Sequence, residues 1–395
     1  MAQLFDSVEC SSTNDLWRRA QWSPDRSLVL AQTDSHDIYI YEVSKMFTLR
    51  SVFKSPSPIL DVVWYQLAAG SGGNEWCFAV SARDIPVRLV KVSSLQTLAS
   101  YTIINHIEEV LSPNSLAFSR DAYRMYAGLS NAVAIIPLST PGTNVHVTLD
   151  IGSSYDDPRA GQRGVVSTIA VGRAPLSLEA SGEPVEIIAV GTFSGDVGIY
   201  VIDPSWVEPL IEEHRAPRHG SSRVVPGGAL CLAGWHMSSG AGIQQLVFHP
   251  EHQHLLFVST RRSPHIHVLD TRYLYGMAEP FHFARLGDEV QMAALLERNT
   301  VHTHQRTWID VSDDGKYAAS GDEDGIVRIW NCVTLDNKGI HPPVVQWSAG
   351  QDTVASAVFG KHNTIVTASG GRHWFDTAYP QPIDAALRLW QLNIH

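Results

Sequence analysis

A chain of 395 residues with 44% hydrophobic side chains can bury a large core, and 29 basic against 40 acidic side chains leave a formal net charge of −11. That balance excludes a protein that coats nucleic acid indiscriminately, because such proteins draw affinity from neutralising phosphates; a nucleic-acid partner must meet a local basic patch. Four scattered cysteines with no CxxC pair exclude a disulfide framework and a zinc-finger spacing, and suit a reducing compartment. The opening MAQLFDSVEC lacks the basic start and apolar stretch of a secretion signal. No segment approaches the roughly 18 uninterrupted apolar residues of a membrane span, so a soluble intracellular protein is expected.

In chain order, one rhythm of strand, turn, strand, turn, strand recurs, and such internal repetition points to an array of like units. The first unit is RAQWSPDRSLVLAQTDSHDIYIYEV, Arg19 to Val43. The second starts at ILDVVWYQ and closes with WCFAVSARDIPVRLVKV, ending at Val92. The third runs from Asn114 to Leu138, and the fourth joins VVSTIAV from Val165 to EIIAVGTFSGDVGIYVI, ending at Ile202. The fifth spans Ile243 to Asp270. The sixth is the clearest: TWIDVSDDGKYAASGDEDGIVRIWN, Thr307 to Asn331. In its DDG and DEDG turns, Asp can bond the backbone ahead of it and Gly accepts positive φ. It ends in Ile329-Trp330-Asn331, a near match to the WD dipeptide that closes a propeller blade. The seventh joins ASAVFGKHNTIVTASGGR, from Ala355, to AALRLWQL, ending at Leu392.

The closing positions Tyr41, Val90, Ile136, Tyr200, Leu269, Trp330 and Trp390 lie roughly 45 to 70 residues apart, a bare blade plus insertions. Seven units fit the range of β-propellers, and stacked sandwich domains would not repeat the Asp-Gly-strand-Trp ending. Each blade needs a fourth, outer strand, and FTLRSVF, LASYTII, VHVTLDI, PFHFARL and VVQWSA follow most closing positions. The last unit has no such follower, so Gln3 to Cys10 is expected to supply its outer strand and remove a free sheet edge. The expected fold is all-β, a seven-bladed WD-repeat β-propeller with its ring closed by this N-terminal strand. It is expected as a single domain over 1–395, with blades near 19–58, 59–104, 114–150, 165–234, 243–286, 307–349 and 355–392 plus the strand at 3–10. Three longer connections interrupt it: Ser139–Arg163; Asp203–Ala241, which reads as a mobile surface loop; and Thr271–His304, where DEVQMAALLERN permits a short helix.

Chemistry is weakly signalled. Among 18 histidines, His249, His252 and His254 cluster in HPEHQH, and His265 and His267 share one strand face, yet no acid is suitably spaced to complete a zinc set. There is no G-x-S-x-G elbow, Walker loop, H-E-x-x-H or strand-linked G-x-G-x-x-G. No metal, cofactor, small-molecule substrate or catalysis is therefore expected. Asp37, Asp84, Asp196 and Asp324 fall at blade turns and are expected to bond them. His236, in GWHMSSG, has the place of a structural WD-repeat histidine, and Trp330 and Trp390 close their blades.

Topology nominates a binding face. In a propeller the loop between a blade's second and third strands shares a face with the connection leading into its first. The former supply Arg83, Arg261, Arg262, Arg372, His373 and Trp374; the latter supply Trp17, Arg18, Arg163 and Arg306. Arginine forks grip phosphate and stack on bases, and aromatics stack on unpaired bases.

Several blade-specific stretches resemble the telomerase Cajal body protein family of WD-repeat proteins. They are AQWSPDRSLVLAQTDSHDIYIYEV in the first blade, VVWYQL at Val62–Leu67, SARDIPVRL at Ser81–Leu89 and INHIEEVLSPNSLAFS at Ile104–Ser119. GQRGVVSTIAV from Gly161, GTFSGDVGIY from Gly191, HQRTWIDVSDDGKYAASG from His304 and TASGGR at Thr367–Arg372 continue the likeness. The resemblance, closest to a short fungal-type member, implies a nuclear monomer, with some in the cytoplasm, that binds small non-coding RNAs inside ribonucleoprotein particles alongside their core proteins. Small Cajal-body RNA, telomerase RNA and spliceosomal particles are the candidates. It carries Arg83, Asn105, His106, Gln305, Arg306 and Arg372 over as matched motif positions. The alternative is a protein–protein scaffold with no direct RNA contact.

Overall fold

Short runs of β-branched and aromatic residues between Asp- and Gly-bearing turns leave little choice but antiparallel pairing, and the structure is almost wholly β. The computed structural model describes residues 2–12, 14–65, 75–105, 107–152, 161–174, 185–215, 223–237, 241–273, 284–285, 292–333, 335, 339–372 and 384–393. Its seven sheets are the blades of a β-propeller.

The chain begins with β1 (Ala2–Glu9). Blade one is β2 (Trp17–Trp22), β3 (Leu28–Thr33), β4 (Asp37–Val43) and β5 (Phe47–Lys54). Blade two is β6 (Ile59–Trp64), β7 (Cys77–Ala82), β8 (Ile85–Lys91) and β9 (Thr97–Tyr101). Blade three is β10 (Ser115–Phe118), β11 (Arg124–Gly128), β12 (Ala132–Pro137) and β13 (Val147–Asp150). Blade four starts with β14 (Val166–Arg173), β15 (Glu186–Thr192) and β16 (Asp196–Ile202). Then come helix α1 (Pro204–Arg215), β17 (Arg223–Pro226) and the blade's outer strand β18 (Cys231–His236). Blade five is β19 (Ile243–Phe248), β20 (Leu255–Thr260) and β21 (His265–Asp270), then, after β22 (Ala284–Arg285), β23 (Met292–Glu297). Blade six is β24 (Ile309–Val311), β25 (Tyr317–Gly321) and β26 (Ile326–Asn331), then, after β27 (Ile340–His341), β28 (Val345–Ser348). Blade seven is β29 (Val354–Phe359), β30 (Thr364–Ser369) and β31 (Ala386–Leu392), and β1 pairs antiparallel with β31 from Ala2↔Leu392 to Glu9↔Ala386. The N-terminal strand thus completes the last blade, as its missing fourth strand led us to expect.

The chain divides into two compact units. One comprises Met1–Pro56, His249–Leu269 and Met292–His395; the other comprises Ser57–Phe248 and Asp270–Gln291. In the first, Val29, Ala31 and Tyr41 of blade one pack with Val358, Val366 and Leu389 of blade seven, with Val8 of β1 against them. In the second, Ala79 and Val87 meet Leu116, Phe118 and Met125. Polar side chains of the innermost strands then staple neighbouring blades. In the first unit Ala20 N donates to Ser356 Oγ at 2.8 Å and Phe359 N to Asp310 Oδ2 at 2.7 Å. In the second, Leu116 N donates to Asp61 Oδ2 at 2.7 Å and Leu246 N to Thr168 Oγ1 at 3.3 Å. These acceptors satisfy backbone donors that the antiparallel ladders leave over.

Three expectations need correction. The Asp203–Ala241 segment is not simply a loop: it holds α1, β17 and β18. Asp203 caps the helix, its Oδ1 accepting Ser205 N at 2.8 Å, and Pro204 follows where a missing N–H does no harm. Val207 and Ile211, one turn apart, are buried in the core of blades three and four. The outer strand of blade five is β23, not PFHFARL, of which Ala284–Arg285 instead pairs with β18. β23 lies within the stretch read as a short helix. Met, Ala, Leu and Glu favour helices in isolation, but the open edge of β21 offers a full ladder and overrides that preference.

Candidate functional site

In the first unit the turn between β3 and β4, the bulged start of β2 and the segment after β30 converge on Asp34. Its carboxylate pairs with Arg18 Nε at 3.5 Å and with Arg372, whose Nε donates at 3.2 Å and whose Nη2 adds a shorter second bond. About a third of each arginine side chain stays exposed (37% and 33%), so the pair is reachable from solvent. Burial lowers the Arg18 pKa, Asp34 opposes that, and Arg372 adds to it by repulsion. His36 in the same turn is pushed down by burial and by Arg18, which keeps it neutral near pH 7.

Beside this cluster lies a cation–π sandwich. The Arg19 guanidinium sits 3.5 Å from the Trp308 ring centroid and the Arg306 guanidinium 3.7 Å from it. Arg19 belongs to blade one and Trp308 leads into blade six, so the pair reaches past blade seven along the innermost strands. Three contacts fix the segment that carries Arg306. Gln305 Nε2 donates to Gly370 O at 2.6 Å, tying it to the loop of Arg372. Trp308 N donates to Ala355 O at 2.7 Å. The buried guanidinium of Arg298 donates to Thr307 Oγ1 at 3.0 Å, Ser259 Oγ at 2.9 Å and Thr260 O at 3.1 Å. Burial lowers the Arg298 pKa to about 10, with Asp322 acting the other way, so it remains a cation at neutral pH. Arg261 is half-buried and Arg262 exposed in the β20–β21 turn, where Arg262 Nε donates to Val301 O at 3.3 Å.

In the second unit Arg83 and Arg163 are exposed. Arg83 is held through its backbone, its N–H donating to Pro58 O at 2.9 Å, and Arg163 N donates to Asp196 Oδ2 at 2.9 Å. Asn105 is occupied within its own turn: Oδ1 accepts Ile107 N at 3.0 Å and Glu109 N at 2.9 Å, and Nδ2 donates to Glu109 Oε2 at 2.9 Å. His106, His373 and Trp374 lie outside the described residues.

The blade residues sort themselves by contact. Asp196 and His236 share a hydrogen bond through Oδ1 and Nδ1. Trp390 Nε1 donates to Thr367 Oγ1 at 2.9 Å, and Trp330 is fully buried. Asp84 sits at φ 59° with its N–H on Ser112 Oγ at 2.7 Å. In the DEDG turn the acceptor is Asp322, which takes the N–H of Asp324 at 3.0 Å and of Ile326 at 2.9 Å and pairs with Arg328; the Asp324 carboxylate bonds Asn299 instead. In blade one Asp15 plays that part, accepting Leu16 N, Ser35 N and Ser35 Oγ, while Asp37 N donates to Thr33 Oγ1 at 3.3 Å. Trp17, expected on the face, is 1% exposed and packs edge-on against Tyr39. Arg19, Asp34, Arg298 and Trp308 were not singled out from sequence. Arg19 lies on the innermost strand β2 and Trp308 just before β24, whereas Asp34 sits in the β3–β4 turn and Arg298 follows the outer strand β23, so no one sequence signal marks all four.

No family model matches the chain. Over 379 residues, 92% of this chain and 58% of the relative, it is 23% identical to Telomerase Cajal body protein 1 of Homo sapiens. The rat protein of the same name is 24% identical over 382 residues, 92% of this chain and 60% of the relative. The fission yeast Schizosaccharomyces pombe supplies Guanine nucleotide-binding protein negative regulator 1, 24% identical over 333 residues, 80% of this chain and 70% of the relative. The fold and its blade endings define a WD-repeat β-propeller. Its curated homologues are the telomerase Cajal body proteins, of whose length the chain spans about three fifths (58% for the human protein), together with the fission yeast protein.

Proposed function

We propose that this protein is an RNA-binding factor of ribonucleoprotein biogenesis, and that it holds small non-coding RNA by the arginine cluster of its first unit. The observation that carries the reading is the gathering of Arg18, Arg19, Arg306 and Arg372 around Asp34 and Trp308 on a chain of net charge −11. A chain so acidic overall has concentrated guanidinium groups where two aromatic-stacked forks and two about one-third exposed can meet phosphate and unpaired bases. The names of the relatives support a nuclear role linked to telomerase or Cajal bodies. Arg83 and Arg163, exposed on the second unit, are candidate RNA contacts of that unit, and RNP core proteins are the expected protein partners. Small Cajal-body RNA, telomerase RNA and spliceosomal particles are the candidate cargoes. The protein acts by binding, without catalysis, metal or cofactor, in the nucleus and to a lesser extent the cytoplasm. No described helix is long and apolar enough to cross a membrane.

Crosslinking followed by sequencing of bound RNA tests this directly. An enriched small RNA is expected, with affinity falling steeply as salt rises and lost in the Arg306→Glu, Arg372→Glu double variant. Recovery of no enriched RNA would replace the proposal with a protein–protein scaffold.

A further inference from the structure

The connection between a blade's third and fourth strands repeatedly runs back to the outer edge of the preceding blade. In blade three it donates Gly142 N to Ser100 O at 2.7 Å and accepts Thr102 N at Thr143 O, 3.2 Å, beside β9 of blade two. In blade four it supplies β17, which pairs parallel with β13 over Val147↔Arg223 to Asp150↔Pro226. In blade five it supplies β22, parallel to β18, and in blade six β27, parallel to β23. Four successive blades thus have their outer edge covered by chain from the next one, three of them by a parallel strand.

The series does not extend to blades six, seven and one, whose outer strands β28, β1 and β5 end their sheets among the described residues; β1 carries Asp6 and Glu9. Blade seven takes its fourth strand from β1 rather than from a connection between its own third and fourth strands. The outer strand of blade six, β28, ends the sheet order β24-β25-β26-β28, and among the described residues nothing pairs with its outer side. Among the described residues no further strand joins β5 of blade one either, but β5 carries Arg50 and Lys54, charges that deter strand addition. β28 reads Val345-Gln346-Trp347-Ser348, with no charge and no proline. The same connection also presents Val333 at 64% and Val344 at 54% exposure. An uncharged, unpaired edge flanked by apolar side chains is a template for another strand.

We propose that the outer edge of blade six is a docking site for an extended segment of a partner protein, added to β28 as a fifth, parallel strand. The strands that cover the equivalent edges define its chemistry: short, β-branched and mildly basic, as in Arg223-Val224-Val225-Pro226 and Ile340-His341. The proposal is independent of RNA binding, since none of the arginine cluster belongs to this edge.

Amide hydrogen exchange on the full chain tests it, with a capped synthetic peptide Gly-Thr-Val-Arg-Val-Thr-Gly as probe. In the free protein, residues 345–348 should exchange faster than the covered strands β13 and β23. Saturating peptide should slow them by about tenfold or more and leave β5 unchanged. The Gln346→Lys, Ser348→Lys variant alters two exposed side chains and reproduces the charged edge of β5; it should lose the protection while keeping the melting temperature. Slow exchange of β28 without peptide, no slowing with it, or equal slowing in the lysine variant would each overturn the proposal.

Discussion

Replacing Asp310 by Asn isolates the effect of burying a charge in an inter-blade staple. Asp310 Oδ2 accepts Phe359 N at 2.7 Å, and burial raises its pKa to about 6, partly offset by Arg26. The unfolded chain, with the ordinary value of 3.8, gives up this proton first. Between these values the folded state binds more protons, so the contribution of Asp310 to stability is full below pH 3.8 and falls as pH rises through 6. A shift from 3.8 to about 6 corresponds to at most about 3 kcal/mol at about 1.4 kcal/mol per unit, of which roughly 2 kcal/mol falls between pH 4.5 and pH 8. Asn keeps an oxygen for Phe359 N and cannot ionise. Urea denaturation of both proteins at several pH values should therefore show Asp310→Asn gaining about 2 kcal/mol on the parent from pH 4.5 to pH 8. Because every other titrating group is common to both, the difference isolates Asp310. Parallel stability curves across that range would refute the reasoning.

Three further outcomes are expected. Deleting residues 1–10 strips β31 of its partner strand and exposes the packing around Val8, so the melting temperature of the whole chain should drop; an unchanged melt would show that β1 is dispensable. Asp61→Ala leaves the Leu116 N–H without its acceptor between blades two and three and should cost about 1–3 kcal/mol in denaturant titration, with Asp61→Asn milder. At Gly321, in β25, an added Cβ would collide with the carbonyl oxygen and side chain of Val354, so Gly321→Ala should lose about 1–3 kcal/mol; wild-type stability would mean that blades six and seven can part locally.

The blades were legible because their information is local. Alternating β-branched runs, Asp-Gly turns and closing aromatics repeat within each unit, and the absent fourth strand after Leu392 pointed to the N-terminus by counting alone. What failed was local information overridden by an edge. Met292–Glu297 has helical composition but completes the sheet beside β21, and Asp203–Ala241 looked like loop although it carries a capped helix and two strands. At the DEDG turn the amides of Asp324 and Ile326 face Asp322, not the Asp324 singled out from sequence.

The binding cluster divides the same way. Arg18, Arg306 and Arg372 were nominated from their loops, a matter of topology that the repeat itself implies, and Gln305 came from the family resemblance alone. That one carboxylate, Asp34, would hold two of those arginines, and that Trp308 would lie between Arg19 and Arg306, depends on contacts among blades one, six and seven. Trp17 shows the converse: it neighbours Arg18 in sequence, but strand alternation at the β2 bulge turns it into the core. Sequence alone therefore determined the repeating sheet, its closure and the loops from which a binding site is drawn, because these follow from neighbours along the chain. The tertiary structure decided which side chains those loops bring into contact, because pairs such as Arg372 with Asp34 and Arg19 with Trp308 lie hundreds of positions apart along the chain.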